Sequence, residues 1–155
     1  MEAATDSDRH SRGLEVLNRL TAGDPTLSQE MSTIAGVAPE LSRLVVDFVF
    51  GEIYARPGLE PQRRHLVTLS CLVSVGAIDE LRVHVGLALN TGLSSTEIVE
   101  AILHTAVYAG FPRAVSAMRV AQQVFIDRGI LEPNESNRAG STHPRSAGHS
   151  SRVGM

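Results

Sequence analysis

Hydrophobic residues recur every three or four positions along most of the chain, which is the spacing of one face of an α-helix. The strict alternation that would indicate half-buried strands does not continue over any long stretch. The pattern therefore predicts an all-α fold. Its expected helices span residues 13–21, 26–36, 39–55, 61–75, 78–91, 94–109 and 112–128.

Residues that favour helix ends stand at several of these boundaries. Pro61 and Pro112 occupy first-turn positions, where a missing amide hydrogen breaks no helical hydrogen bond. Ser94 and Glu97 have the spacing of a capping box, in which each side chain bonds the backbone of the other residue. Gly92 follows a predicted helix where a left-handed residue is favoured. The boundaries are thus supported independently of the hydrophobic spacing.

The two ends of the chain are polar. Residues 1–12 contain little that could pack, and from residue 133 onward Val153 and Met155 are the only large apolar residues. Such segments cannot bury enough surface to offset the entropy lost on ordering. We therefore expect a disordered N-terminus, one helical domain at residues 13–132 and a disordered tail at residues 133–155.

The last two predicted helices, at residues 94–109 and 112–128, are apolar almost all round. A helix without a polar face is normally buried inside a large body of protein, and a domain of this size offers few such places. Burial between subunits is the alternative. We therefore expect a homo-oligomer that associates through these helices.

Composition narrows the class of protein. Hydrophobic residues make up 43% of the chain, and the net charge is −3 with no basic patch, which argues against a nucleic-acid partner. No apolar stretch reaches the roughly 18 residues of a membrane span, and no signal-peptide pattern opens the chain. A soluble cytoplasmic protein is the simplest expectation.

The segment IDELRVHVGLALNTG, residues 78–92, predicts an amphipathic helix whose polar residues do not all lie on its polar side. With about 100° of rotation per residue, Glu80 and His84 fall inside the arc of apolar residues. The two residues are one turn apart, so their side chains can meet. An ordinary ion pair of this spacing at a subunit edge is the alternative interpretation.

Three other predicted helices show the same feature. Glu52 falls between apolar positions of the third helix, His65 lies opposite the polar stripe of the fourth, and His104 lies on the nearly apolar sixth. Isolated buried charges are costly, whereas a converging set can be stabilised by hydrogen bonds, and such clusters are typical of catalytic sites. A single histidine in an apolar arc is nevertheless more often an ordinary core residue, and that alternative stays open.

The chain contains one cysteine, Cys71, so it has neither a disulfide framework nor a CxxC motif. We expect this thiol to be a small buried hydrophobic group rather than a redox centre. A metal site built from His65, His84, His104 and the glutamates lacks any short ligand motif. We therefore expect no metal site.

Three runs, GEIYARPGL (51–59), ELRVHVGLALNTG (80–92) and HTAVYAGFP (104–112), occur in an order that resembles the carboxymuconolactone decarboxylase family over roughly residues 40–130. The resemblance implies an all-α, AhpD-like helical bundle and a homo-oligomer, either a trimer or a hexamer. The wider superfamily includes thiol peroxidases with a CxxCxxxH signature, whose histidine corresponds to His84. Ala77 and Glu80 occupy the two cysteine positions here, so a peroxidase has no nucleophile.

The resemblance implies a cofactor-independent decarboxylation of a 4-carboxymuconolactone-type lactone, in which a dienolate forms and is protonated on carbon. We expect His84 to donate the proton and Glu80 to orient it and favour its charged form. Glu52 is expected either to be a second acid–base group or to repel the substrate carboxylate in the ground state. The remaining candidates are expected to hold the substrate carboxylate or carbonyl: His65, Arg64 and His104.

The chain departs from the family pattern in two places near the expected site. It has GAIDEL at residues 76–81 where decarboxylating members usually have a charged GREEEL-like turn, and His65 stands where a small residue is typical. The substrate can therefore differ from the lactone. Two alternatives stay open: a related proton-transfer enzyme (isomerase, cyclase or decarboxylase) acting on a specialised-metabolite intermediate, and a non-catalytic helical oligomeric binding protein.

Overall fold

A computed structural model describes residues 6–133 of the chain, which form helices joined by short turns and contain no strand. The all-α bundle expected from the sequence is confirmed. A π-helical segment, Val45–Tyr54, continues directly from the third α-helix. The α-helices are α1 (Asp6–Thr21), α2 (Thr26–Val37), α3 (Pro39–Leu44), α4 (Pro61–Val75), α5 (Ile78–Asn90), α6 (Ser95–Ala109) and α7 (Phe111–Asp127).

Two apolar clusters form the interior, and α5 contributes to both. The first cluster joins α4, α5, α6 and α7, and the second joins α1, α2, the π-helical segment and α5. On α5, Leu81 and Val85 face the first cluster, whereas Val83 and Leu87 face the second. His84 thus lies in sequence between residues that face different clusters, so the tertiary packing of α5 decides where its ring points.

The predicted helix ends are confirmed where the sequence carried a specific signal. Pro61 and Pro112 lie in the first turns of α4 and α7. The Glu97 amide donates to Ser94 Oγ at 3.2 Å, and the Ser94 amide donates to Glu97 Oε2 at 2.8 Å, which completes the capping box of α6. Gly92 has a positive φ of 95°, a conformation that glycine adopts without a steric penalty.

Two boundaries differ from the prediction. Helix α1 begins at Asp6, so residues 6–12 are helical rather than disordered. His10 and Arg12 form hydrogen bonds with the π-helical segment, and Arg9 forms an ion pair with it. The helix expected at residues 39–55 changes from α to π at Val45. The tail predicted at residues 133–155 lies outside the described residues except for Pro133.

Cys71 is exposed on α4, so the expectation that it is a buried hydrophobic group is wrong. Leu69 and Val73, on the opposite side of the same helix, are fully buried instead. No helix among residues 6–133 combines the length and the apolar composition needed to cross a membrane.

Candidate active site

The imidazole rings of His65 on α4 and His84 on α5 lie side by side, with 6.2 Å between ring centroids and an angle of 46° between ring planes. His65 is completely buried, and His84 is half-buried. The two residues are 19 positions apart in the chain and meet because α4 and α5 are packed as neighbours. The pairing of these two predicted residues is the central feature of the site.

The hydrogen bonds of His65 define its neutral tautomer. Its Nδ1 lies 3.0 Å from the carbonyl oxygen of Pro61, one turn earlier on α4. A carbonyl only accepts, so Nδ1 carries the hydrogen, and Nε2 of the neutral ring is an acceptor. This Nε2 is buried without a hydrogen-bond partner among the described residues, and so is Nδ1 of His84. Buried polar atoms are normally paired, so a site with two such nitrogens is suited to a polar ligand.

Both imidazoles are held in the neutral form. The pKa of His84 is lowered to about 4, mainly by burial and also by the neighbouring His65, whereas Glu80 acts to raise it. Burial also lowers the pKa of His65, and the Arg64 guanidinium acts in the same direction against the hydrogen bond to Pro61. Glu80 does favour the charged form of His84, but the removal of the ring from water outweighs the carboxylate's field.

Tyr54, at the end of the π-helical segment, packs its ring edge-on against His65 with 5.7 Å between centroids. Its hydroxyl lies 2.9 Å from Thr68 Oγ1 on α4. Burial raises the pKa of the Tyr54 phenol, so it is a hydrogen-bonding group rather than a base. The sequence analysis missed both Tyr54 and Thr68. Tyr54 lies within the GEIYARPGL run, but nothing in the helical spacing marked it as a neighbour of His65.

Arg64 supplies positive charge beside this group. Its guanidinium lies 5.7 Å from the centroid of the Tyr54 ring, a distance typical of a cation–π contact. Its Nη2 donates to the Arg56 carbonyl at 3.1 Å, which fixes the side chain over the turn that precedes α4. Its Nε is buried without a partner among the described residues. Arg64 is therefore placed near the histidine pair, as predicted, and its Nε–H is available to donate a hydrogen bond to a ligand.

Glu80 is exposed rather than buried in an apolar arc. It lines a cavity of about 470 Å³ between α2 and α5 with Glu30 and Asp79. Its charge raises the pKa of His84, which shows that it is electrostatically close to the pair. Glu80 therefore acts on His84 through its field, and the predicted burial of Glu80 is wrong.

Glu52 does not join the histidine pair. Its carboxylate lies 3.1 Å from Arg9 Nε and 3.4 Å from Arg12 Nη2, both on α1, and its side chain is 39% exposed. The helical projection failed here because it treated residues 39–55 as one α-helix that packs on one side. The assignment of Glu52 as an acid–base group is corrected by this geometry, since two guanidinium groups already hold its carboxylate.

His104 also lies away from the pair. It is exposed on α6, where its ring packs against Tyr108 with 5.5 Å between centroids. It lines a separate cavity of about 450 Å³ with Leu103, Val107 and Phe111 among others. The expectation that His104 holds the substrate beside His65 is wrong for the single chain, because the apolar side of α6 on which it sits is not the side packed in the core.

The described residues do not contain a group of three or more metal-ligating side chains in one place. The alternative that joined His65, His84 and His104 around a metal ion is therefore not formed in residues 6–133. The exposed thiol of Cys71 has no second cysteine in the chain with which to form a disulfide. The arrangement suits proton transfer between the buried imidazoles and an anionic ligand, with the Tyr54 phenol as a hydrogen-bonding group.

The buried, incompletely bonded imidazole pair of this helical bundle has the groups that acid–base chemistry needs, whereas thiol chemistry would need a pair of cysteines. The chain belongs to the carboxymuconolactone decarboxylase family, whose model matches residues 39–123. The matched region contains the π-helical segment and both histidines of the pair. The resemblance seen in the sequence is confirmed.

Two curated relatives define the class more closely. The chain is 35% identical over 133 residues to a 4-carboxymuconolactone decarboxylase of Acinetobacter baylyi, covering 86% of this chain and 98% of the relative. It is 39% identical over 96 residues to the nitrosuccinic acid decarboxylase npaB of Metarhizium robertsii, covering 60% of this chain and 67% of the relative. Both relatives are decarboxylases, which assigns the chain to the carboxy-lyases of this family and sets aside the non-catalytic alternative.

Proposed function

We propose that the chain decarboxylates a carboxylated lactone of the 4-carboxymuconolactone type at the His65–His84 pair. The observation that carries the proposal is the pair of buried nitrogens without partners, His65 Nε2 and His84 Nδ1. The relative from Acinetobacter baylyi supports the choice of substrate, because the alignment spans almost its whole length. No cofactor is expected.

The reaction requires a proton donor and a group that stabilises the anionic intermediate. In such a lactone the departing carboxylate is attached to the carbon γ to the conjugated carbonyl. When that carbon–carbon bond breaks, carbon dioxide leaves and the electron pair moves through the double bond into the carbonyl, which gives a dienolate. One proton then adds to carbon and yields the enol-lactone. The protein must therefore stabilise an oxyanion and deliver one proton.

In this proposal His84 delivers the proton, although its ring is neutral in the free chain. An anionic substrate beside the pair favours the charged form of the imidazole, so binding itself raises the pKa of His84 and recruits a proton from solvent. Glu80 acts in the same direction through its field. Arg64 attracts the substrate carboxylate. His65 Nε2 accepts a hydrogen bond from the protonated His84 imidazole. Decarboxylation consumes one proton per turnover, which this uptake supplies.

A nitro-substituted succinic acid is the second candidate substrate, favoured by the 39% identity to the nitrosuccinic acid decarboxylase. Its nitro group is attached to the carbon that would lose carbon dioxide, so the electron pair moves into the nitro group in place of a lactone carbonyl. Protonation on carbon completes the reaction in both cases. The presence of His65 where lactone decarboxylases typically have a small residue is a reason to test this second acid.

The test is a pair of assays on the purified chain, one with 4-carboxymuconolactone and one with nitrosuccinic acid, each followed by carbon dioxide release. We expect turnover of at least one of them. Replacement His84→Gln is expected to lower kcat about 10²–10⁴-fold, the usual contribution of an aligned acid–base group. The matched control is His104→Gln, which is expected to leave kcat within a few-fold because His104 lies away from the pair. Full turnover by a folded His84→Gln variant would overturn the assignment.

A further inference from the structure

The π-helical segment ends at Tyr54, which contacts His65. The backbone hydrogen bonds of its last turn differ from those of an α-helix. The amide of Ala55 donates to the Phe50 carbonyl at 3.1 Å, five residues earlier. The amide of Arg56 donates to the Ile53 carbonyl at 3.3 Å. In an α-helix the Ala55 amide would instead bond the Gly51 carbonyl. The π register therefore leaves the Gly51 carbonyl to another donor.

That donor is Arg12 of α1. Its Nε donates to the Gly51 carbonyl at 2.7 Å, and its Nη2 lies 3.4 Å from Glu52 Oε1. Arg9 holds the same carboxylate oxygen at 3.1 Å. The guanidinium of Arg12 thus bridges a backbone carbonyl and the next residue's side chain. A planar group with several fixed donors is suited to such a double contact.

The backbones of α1 and the π-helical segment also approach too closely for any side chain to lie between them. A methyl group added to Gly13 would lie 2.2 Å from the Val46 carbonyl oxygen, and one added to Gly51 would lie 2.4 Å from the Arg9 carbonyl oxygen. The glycines thus lie at two crossing points of α1 with the segment. These contacts fix α1 as a rigid support against which Arg12 can hold the π turn.

Long π-helices are rare, and short π stretches are frequent at functional sites. A π-helix has more residues per turn than an α-helix, so a change to α would rotate Tyr54 relative to Phe50 and remove it from His65 and Thr68. We propose that Arg12 is a positioning residue, which holds the last π turn so that the Tyr54 hydroxyl and ring stay against Thr68 and His65. Its bearing on turnover rests on the proposed function.

The positioning is measurable without a substrate. Tyr54 and Tyr108 are the two tyrosines of a chain that has no tryptophan. Replacement Tyr108→Phe, at an exposed position, leaves Tyr54 as the source of the tyrosine signal in near-ultraviolet circular dichroism. In that background Arg12→Met removes both guanidinium contacts and retains the aliphatic stem. We expect the tyrosine band to be largely lost while the far-ultraviolet helical signal is retained. The matched control is Arg19→Met, at an exposed position later on α1, and should keep the band.

Retention of the band in Arg12→Met, or its equal loss in Arg19→Met, would overturn the proposal. If Arg12→Met does not fold, exchange of guanidinium protons in the parent decides. The Arg12 Nε–H should be protected and the Arg19 Nε–H should not, and an unprotected Arg12 would overturn the proposal. With an active substrate, Arg12→Met should lower kcat about 10- to 100-fold with little change in KM. A parent without turnover contradicts the proposed function alone, since the circular dichroism needs no substrate.

Discussion

At the residue scale, the site depends on which ionisable side chains lose their water. His65 and His84 are placed together and kept neutral by burial. Glu80, one turn from His84, stays exposed and acts on it only through its field. Desolvation of an imidazole in an apolar interior disfavours its charged form more than one exposed carboxylate favours it. The resting site is therefore poised to take up a proton rather than to release one.

This neutral pair makes folding stability depend on pH. The folded pKa of His84 is about 4, below its ordinary value of 6.5. Between these values the unfolded chain binds a proton that the folded chain does not, so stability falls as the pH falls through this window. The loss is up to about 1.4 kcal/mol per pH unit from this residue. Urea unfolding at pH 7.5 and 5.5 measures it.

Replacement of His84 by Gln is expected to reduce that pH dependence, because the contribution of His84 is removed while that of His65 remains. A slope unchanged by His84→Gln would contradict the low pKa of His84.

At the element scale, the crossing of α1 with the π-helical segment connects the N-terminal part of the chain to the site. Gly13 allows the close approach, Arg12 donates to the Gly51 carbonyl across it, and Arg9 forms an ion pair with Glu52. The polar composition of residues 6–12 predicts a disordered segment, yet these contacts hold the residues in a helix. Polarity predicted disorder because the partners of these polar groups lie some 40 residues further along the chain.

Gly13→Ala is predicted to destabilise the fold, because its methyl group would overlap a backbone oxygen that cannot move aside freely. Overpacking of this kind typically costs about 1–3 kcal/mol. Gly36→Ala is the matched control, since it lies in α2 with nothing within 4 Å of the added methyl group. It should be neutral or stabilising by about 1 kcal/mol, as a glycine in a helix is worse than alanine. Thermal and urea unfolding compare the two, and equal effects would rule out the close crossing.

At the scale of the whole molecule, a single chain leaves large apolar side chains in contact with solvent. On α6 and the start of α7, Val107 is 73% exposed, Tyr108 79% and Phe111 72%. The buried side of α6 is formed by Ile98 and Ile102 instead. An apolar patch of this kind on a helix that is already half covered is typical of a subunit interface. The homo-oligomer expected from the sequence therefore stays a prediction, now with a defined surface.

The double variant Val107→Glu, Phe111→Glu should convert the oligomer to a monomer. Each subunit would otherwise bury two unpaired carboxylates in the interface, which is strongly unfavourable. Thr96→Glu is the control on the same helix, in a first turn where an acidic residue is favourable. Light scattering after size exclusion measures the mass against the 16.6 kDa of one chain. A parent that is itself monomeric would contradict this interface, as would a double variant that keeps the parent mass.

The sequence by itself determined the helices, their caps, the all-α class and the family. Those features depend on residues only a few positions apart, such as Ser94 with Glu97 or the first-turn prolines. Such local patterns can be recognised from the sequence alone. It also identified His65 and His84 as buried candidates, because each interrupts an apolar face.

Only the tertiary structure decided which inward groups meet. Helical projection shows the direction of a side chain around one axis, but not which neighbouring helix covers that direction. Glu52 therefore meets α1 rather than His84, and His104 faces outward on α6. The π register that carries Tyr54 to His65 is likewise a property of packing. The apolar residues of the π-helical segment have the spacing of an ordinary α-helix. The contacts that accompany the π form come from Arg12 and Gly13 on α1, which is distant in sequence.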